Sequence, residues 1–165
     1  MLVLGVDPGL ATTGYGFVCE TAAGLETVAY GVVTTLAATP FPERLQALYR
    51  GLSTLIQEHR PDEAAVEQLY FSRNVRTAMV VGQARGVALL ALADAGLPVT
   101  DYPPLAVKQA ISGFGGADKQ QIQTMVKALL RLESIPRPDD AADALAVAIC
   151  HLHSVRLQSM VGTDR

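Results

Sequence analysis

Residues 2–20 read LVLGVDPGLATTGYGFVCE, and this stretch decides the fold. An apolar run that ends on Asp7 is typical of a buried strand. PGLATTG, residues 8–14, has the composition of a turn, and YGFVCE at 15–20 predicts a second strand. LETVAYGVV at 25–33 predicts a third strand after Gly24. Three strands joined by short turns indicate an antiparallel meander.

The rest of the chain alternates predicted helices with short predicted strands. The helices cover 41–59, 74–94 with Asn74 as N-cap, 104–111, 118–132 with Asp118 as N-cap, and about 139–155. The strands cover 63–68 and 98–102. This order predicts one α/β domain over 1–157, built on a mixed five-stranded sheet with helices on both faces, and a flexible tail over 158–165.

Bulk properties restrict the class of protein. The chain has 165 residues, a mean hydropathy of +0.26 and a net charge of −3. No apolar run approaches the roughly 18 residues typical of a membrane span, and no basic leader precedes Asp7. Cys19 and Cys150 are far apart in apolar surroundings, which predicts buried free thiols in a reducing cytoplasm.

The charge is unevenly distributed. Between residues 73 and 137 there are eight basic and four acidic residues, whereas the remainder has five basic and twelve acidic ones. A basic half beside an acidic half fits a phosphate-binding surface next to a metal site. Ordinary solvated helix faces explain the same distribution equally well.

Four carboxylates lie on elements that can meet. Asp7 ends the first strand and Glu67 the fourth, and adjacent parallel strands would bring both acids to one edge of the sheet. Asp140 and Asp143 are three residues apart on the last helix, which places them on one face. Hard oxygen ligands suit Mg²⁺ or Mn²⁺, and two such ions can assist an in-line phosphodiester displacement.

Each acid taken singly has a structural explanation. Asp7 suits the start of a turn with Pro8 and Gly9. Glu67 fits a surface residue at a strand end, and Asp139 or Asp140 fits a helix N-cap. Only the joint placement of four acids favours a metal site.

Other residues are candidates for contact with nucleic acid. Lys108 and Lys119 flank a glycine-rich loop, 113–116, and suit phosphate contacts, although surface lysines are usually only solvated. The aromatic pair that follows Glu67 suits stacking on a splayed base. The candidate DNA-binding set is Tyr70, Phe71, Arg73, Asn74, Arg76, Lys108 and Lys119. His151 and His153 lie two apart on a helix and are given no metal role.

The predicted helix 74–94 is apolar on nearly every face. Such a helix is buried on two sides, and a second copy of the chain is the economical partner. Val87 and Ala88 are candidate interface positions, although the sequence does not indicate which face meets the partner.

Five segments resemble motifs of a known protein family and occur in the same order as in that family. They are GVDPGLATTGYG, AVEQLYFSRN, GQARGV, VKQAISGFGGADKQQ and DDAADALAVAI. They span about residues 3–150, and together they resemble the RuvC family of Holliday-junction resolvases. The resemblance implies an RNase H-like fold, a cytoplasmic homodimer and a Mg²⁺- or Mn²⁺-dependent endonuclease. The implied reaction is symmetric nicking of a four-way DNA junction that leaves 5′-phosphates, in recombination and repair.

The resemblance also implies roles for single residues. The family's acidic quartet falls on Asp7, Glu67, Asp140 and Asp143. Some members have histidine in place of Asp140, so its role as a ligand is the least secure. The family's lysines fall on Lys108 and Lys119, with Lys119 a candidate in catalysis. Its stacking aromatic falls on Tyr70, where phenylalanine is the more familiar residue, and a branch-migration motor complex of the RuvA–RuvB type is the implied partner.

Three alternatives remain open on the sequence alone. An actin-like or sugar-kinase ATPase shares the strand meander, but 165 residues leave no room for its second domain. A non-catalytic module that binds branched DNA would use the acids structurally. A nuclease of the same fold could act on RNA or on other branched DNA.

Overall fold

The computed structural model describes residues 1–68 and 75–162. The chain folds in the order βββαβαβααα, as the sequence predicts. The strands are β1 Leu2–Asp7, β2 Thr12–Thr21, β3 Gly24–Thr34, β4 Glu63–Glu67 and β5 Val99–Tyr102. The helices are α1 Phe41–His59, α2 Val75–Asp94, α3 Pro104–Ser112, α4 Lys119–Leu129 and α5 Asp139–Gly162.

The five strands form one mixed sheet in the order β3-β2-β1-β4-β5. The first three strands pair as the predicted antiparallel meander, and β1 pairs with β4 in parallel. The register sets Val6 against Val66, so the next residues, Asp7 and Glu67, leave the sheet side by side. The predicted adjacency of strands 1 and 4 is therefore confirmed.

Helices cover both faces of the sheet. Leu4, Val6 and Phe17 point toward α1 and α2, and they belong to one buried cluster with Leu48 and Leu52. On the other face α3, α4 and α5 cover the sheet through a second cluster. Because side chains alternate along a strand, Asp7 and Glu67 lie on the face that α5 covers.

Helix α5 lies unusually close to the sheet. A Cβ atom added at Gly14 would come within 1.9 Å of the Asp140 carbonyl oxygen, and one added at Gly5 within 2.1 Å of the Ala144 carbonyl oxygen. Both neighbouring atoms belong to the α5 backbone and cannot rotate away. Only glycine at these two positions allows this contact.

Three element ends differ from the sequence prediction by three residues or more. Strand β2 begins at Thr12 rather than at residue 15. Helix α4 ends at Leu129 rather than at 132, because Arg131 adopts φ 52° and its guanidinium donates to the Ala23 carbonyl oxygen at 2.8 Å. Helix α5 continues beyond 155 to Gly162, so 158–162, predicted as part of a tail, is helical.

Helix α2 has one packed face and one open face. Ala84, Ala88 and Leu92 are buried in the protomer, and Ala88 is fully covered. By length and composition α2 is apolar enough to cross a membrane. It nevertheless carries Arg76 and Arg85, and Arg85 pairs with Asp101 on β5 at 2.6 Å.

The open face of α2 forms a stripe of small and apolar residues. Met79 and Leu90 are more than half exposed, and a Cβ added at Gly82 or Gly86 would meet nothing within 4 Å. These four residues, called the α2 stripe below, recur every three or four positions. Ala88 is buried inside the protomer, which excludes it as an interface position. Val87 is partly buried against the core, and its place at an interface stays a prediction beside that of the stripe.

The two cysteines are free, as predicted. Cys150 is buried on α5, but Cys19 is only partly buried. The prediction of two buried thiols is therefore correct for Cys150 alone. Cys19 lies near the end of β2, where the burial of this strand gives way to exposed residues.

We expect Gly14→Ala to lower the free energy of unfolding by about 1–3 kcal/mol, because the added methyl group must push α5 off the sheet. Urea denaturation measures the change. Gly31→Ala is the matched control. A Cβ atom added at Gly31 would first meet the hydroxyl end of the Tyr15 side chain, at 2.8 Å, and this end can move aside. Equal effects at the two positions would contradict the close contact.

Candidate metal centre at the edge of the sheet

The sheet positions the first two carboxylates. Asp7 is the last residue of β1 and Glu67 the last of β4, and the parallel register places them beside each other. Their side chains share a hydrogen bond in which Glu67 accepts. The predicted meeting of these two acids at one sheet edge is therefore confirmed.

Helix α5 brings the other two carboxylates to the same edge. Asp140 and Asp143 lie in its first two turns, where the backbone contact at Gly14 holds the helix against β2. Both act electrostatically on Asp7. The predicted convergence of the four acids is thus observed, whereas their role as ligands stays a prediction.

This concentration of negative charge changes the protonation of the site. Burial, followed by the charges of Glu67, Asp143 and Asp140, raises the pKa of Asp7 to about 8. Burial and the charge of Asp143 also raise the pKa of Glu67, and burial raises that of Asp143. Asp7 therefore holds the proton in its hydrogen bond with Glu67 at neutral pH.

Lys119 supplies a positive charge at the same place. Its Nζ atom lies 3.1 Å from an Asp143 carboxylate oxygen and 3.4 Å from one of Asp139. Asp139 also accepts from Arg137 at 2.6 Å. Lys119 is thus placed against the acids, in addition to flanking the glycine-rich loop as predicted.

The donor set suits a hard divalent cation, because it consists of carboxylate oxygens on a buried edge. In the described part of the chain, no three His, Cys, Asp or Glu side chains already form a metal cage. Asp7 shares a hydrogen bond with Glu67, and Lys119 pairs with Asp143. A cation would replace both, and it would relieve the repulsion that raises the pKa of Asp7.

A pocket of about 230 Å³ opens beside the carboxylates. Glu67 and Asp143 form one part of its wall, and Lys108 and Lys119 form another. The structure therefore brings together the two lysines that the sequence singled out. An anionic group in this pocket would contact the positive charges of both lysines at once.

The other predicted DNA contacts are less fully described. Tyr70, Phe71, Arg73 and Asn74, including the predicted Asn74 N-cap, lie outside the described residues. Arg76 is exposed in the first turn of α2. Their proposed contacts with DNA stay predictions.

The two histidines of α5 have structural contacts. His151 is buried, with Nε2 at 2.7 Å from a Glu63 carboxylate oxygen and Nδ1 at 3.0 Å from the Tyr102 hydroxyl. His153 Nδ1 lies 3.3 Å from the Ala110 carbonyl oxygen. Through His151, α5 is tied to Glu63 at the start of β4 and to Tyr102 at the end of β5.

Sequence reasoning missed a buried hydroxyl that shapes the β1–β2 loop. Thr13 is fully buried; its Oγ1 donates to the Gly9 carbonyl oxygen at 2.5 Å and accepts from the Gly9 amide at 3.2 Å. The contacts fold the loop that directly follows Asp7. A threonine in a short turn is a weak signal for such a bond.

Comparison with known proteins identifies relatives along nearly the whole chain. The family described as "Crossover junction endodeoxyribonuclease RuvC" matches residues 3–151. A protein of that name from Chloroflexus aurantiacus is 60% identical over 93% of this chain and 94% of its own length. One from Desulfitobacterium hafniense is 57% identical over 98% of both chains.

A solved structure agrees with the fold. Thermus thermophilus RuvC in complex with a Holliday junction substrate superposes with a TM-score of 0.87 at 35% identity, covering 95% of this chain and 96% of that one. The α/β architecture predicted from the meander and the βα units is therefore confirmed as RNase H-like.

We expect the metal-free protein to lose stability as pH rises from about 4 to about 8. The pKa of Asp7 lies near 8 in the fold against an ordinary 3.8, so the folded state binds more protons than the unfolded state across that window. In EDTA at pH 8.5, Asp7→Asn should raise the melting temperature by about 3–8 °C.

Glu133→Gln is the control, because it neutralises an exposed carboxylate away from the cluster. It should leave the melting temperature and its pH dependence unchanged. A melting temperature of Asp7→Asn below that of the unaltered chain at pH 8.5 would contradict the predicted repulsion.

Proposed function

The chain belongs to the RuvC family of crossover junction endodeoxyribonucleases, and we propose that Asp7, Glu67, Asp140 and Asp143 hold the divalent cations with which it cuts four-way DNA junctions. As a family member it is a structure-selective nuclease of DNA recombination and repair. This assignment replaces the ATPase and non-catalytic alternatives. The observation that carries the site proposal is the convergence of the four carboxylates around Asp7.

The proposed cofactors are two Mg²⁺ or Mn²⁺ ions. Bound divalent cations lower the pKa of a water and stabilise the charge that develops on the leaving oxygen of a phosphodiester. Oxygen-only donors favour these two metals over zinc. The raised pKa of Asp7 supports this proposal, because several half-buried acids in one place need cationic compensation.

The residues have distinct proposed roles. Asp7 and Glu67 would hold a cation through both carboxylates once their shared proton is lost. Asp143 would be a further ligand, and Lys119, which pairs with Asp143 in the structure, would contact the phosphate that is being cut. Asp140 either completes the cation site or assists proton transfer, since its side chain has no hydrogen-bond or ion-pair partner within the described ranges.

The proposed substrate is a four-way DNA junction with symmetric nicks in two strands, leaving 5′-phosphates. The Thermus thermophilus relative was solved with a Holliday junction, and it aligns over 95% of this chain. Lys108 and Lys119, which flank the carboxylates in one pocket, support binding of the backbone next to the reacting phosphate.

A junction has approximate two-fold symmetry, so two cuts require two sites related by a similar axis. We propose a homodimer joined through the α2 stripe. Its exposed apolar side chains need a partner, and its glycines permit close approach of a second backbone. The proposed cytoplasmic location rests on the two free cysteines, and a motor partner of the RuvA–RuvB type rests on the family resemblance.

We expect Asp7→Asn to abolish cutting of a labelled four-way junction in Mg²⁺ or Mn²⁺ while junction binding persists. The change removes a ligand charge and leaves phosphate contacts intact, so the rate should fall by at least about 100-fold. Denaturing gels measure cutting, and fluorescence anisotropy measures binding.

Asp139→Asn is the neighbouring control, because Asp139 pairs with Arg137 and Lys119 and is not a proposed ligand. It should keep most of the activity. Undiminished cutting by Asp7→Asn would refute the site. Linear duplex and RNA–DNA hybrid serve as further substrates, and equal cutting of either one would refute selectivity for junctions.

We expect Leu90→Glu to weaken self-association, because it places a charge in the α2 stripe. Sedimentation velocity should show a shift from dimer to monomer. The dissociation constant of the dimer should rise by at least tenfold. Leu157→Glu is the control, since Leu157 is similarly exposed on α5 outside the stripe. An unchanged dimer in Leu90→Glu would move the interface elsewhere.

A further inference from the structure

Arg44 lies beside the loop that follows Asp7, although neither the sequence motifs nor the carboxylate site involve it. It occupies the first turn of α1, and its Nε donates to Thr35 Oγ1 at 2.9 Å. The Thr35 hydroxyl in turn donates to the Leu10 carbonyl oxygen at 2.5 Å. The chain of bonds fixes the guanidinium against the β1–β2 loop.

The fixed guanidinium keeps donors to spare. In the ranges 1–68 and 75–162, no carboxylate oxygen lies within 4 Å of it, and Nε is its single hydrogen-bonded nitrogen. A guanidinium has five donor hydrogens, so both terminal nitrogens of Arg44 remain open to a ligand. Its torsional freedom is already restricted by Thr35, which reduces the entropy lost on binding.

The open side of Arg44 faces a pocket of about 480 Å³ that it shares with a proposed metal ligand. Asp140 forms one part of the wall, and residues 9–12, Val80 and Val81 form the rest. Arg44 and Asp140 share this pocket without forming an ion pair. The space between them suits a group that carries negative charge and also approaches the cation site.

This pocket and the lysine pocket lie on different sides of Asp7. The lysine pocket touches Glu67, at the end of β4, whereas the Arg44 pocket touches the β1–β2 loop. Strand β1 lies between β2 and β4 in the sheet, so positive charge flanks the carboxylates on both sides. A DNA strand whose scissile phosphate lies at the carboxylates would extend toward both pockets.

We propose that Arg44 binds a backbone phosphate of the cut strand, adjacent to the scissile phosphate on the β2 side. The inference rests on the proposed nuclease function and adds a contact that orients the strand. A guanidinium with two free terminal nitrogens matches phosphate oxygens in a bidentate manner. The contact is made to the DNA backbone, so it carries no sequence information.

The first experiment measures how the affinity for a junction depends on salt concentration. It is done in Ca²⁺, so that the junction is bound but not cut. Arg44→Gln should reduce the slope of log affinity against log salt by about 1 and weaken binding at low salt by about tenfold. Arg44→Lys should keep the slope, because it keeps the charge. Arg50→Gln, an exposed residue on the same helix, is the control and should leave the slope unchanged.

The second experiment locates the phosphate. Single methylphosphonate substitutions are placed along the cut strand on either side of the scissile position, each of which removes one negative charge. At one position, the methylphosphonate should weaken DNA binding by the unaltered protein by about tenfold. The same substitution should weaken binding by Arg44→Gln by less than twofold. If Arg44→Gln does not fold, the same methylphosphonate position is tested with Arg44→Lys. The loss of affinity should then be smaller for Arg44→Lys than for the unaltered protein.

The outcomes separate this proposal from its premise. If the unaltered protein neither binds nor cuts junctions, the proposed function fails. If it does both, but Arg44→Gln keeps the full slope or no methylphosphonate position depends on residue 44, only the Arg44 contact fails. A merely structural role through Thr35 predicts lower stability in both Arg44 variants with unchanged salt slopes, and that result would overturn the proposal.

Discussion

The backbone contact between α5 and strands β1 and β2 is the constraint on which the site depends. Two of the four carboxylates come from the sheet and two from α5, so the spacing of the helix from the sheet fixes the size of the site. Gly5 and Gly14 set that spacing, because each faces a carbonyl oxygen of α5 at a distance that excludes any side chain. The His151 contacts with Glu63 and Tyr102 hold the middle of the helix against β4 and β5.

The same constraint has an electrostatic cost. Placing four acids together on a partly buried edge is unfavourable in the free protein, and the fold compensates with a retained proton and a lysine. Both compensations are of the kind that an incoming cation displaces. The clustering of the acids thus lowers the stability of the free protein, as is common at functional sites.

The sequence predicted the element order, the pairing of strands 1 and 4 and the convergence of the four acids, because each depends on local pattern or short-range connection. It did not predict the closeness of α5 to Gly14, since nothing in a turn-like PGLATTG segment indicates which element packs on it. It placed the candidate interface at Val87 and Ala88, because an all-apolar helix does not distinguish its two faces. The α4 end depended on a contact from Arg131 to Ala23, 108 residues away in sequence.

The register between β1 and β4 limits how this chain tolerates changes in length. Side chains in a strand alternate between faces, and Asp7 and Glu67 share the α5 face because Val6 is paired with Val66. An insertion of one residue within β4 would turn Glu67 toward α1 and α2, into an apolar layer. An insertion of two would restore the face but displace the carboxylate by about 6–7 Å along the strand. The site therefore fixes the number of residues within β4, and the turn at 60–62 ahead of it is itself held to β1, because Asp62 bonds with both backbone groups of Leu2.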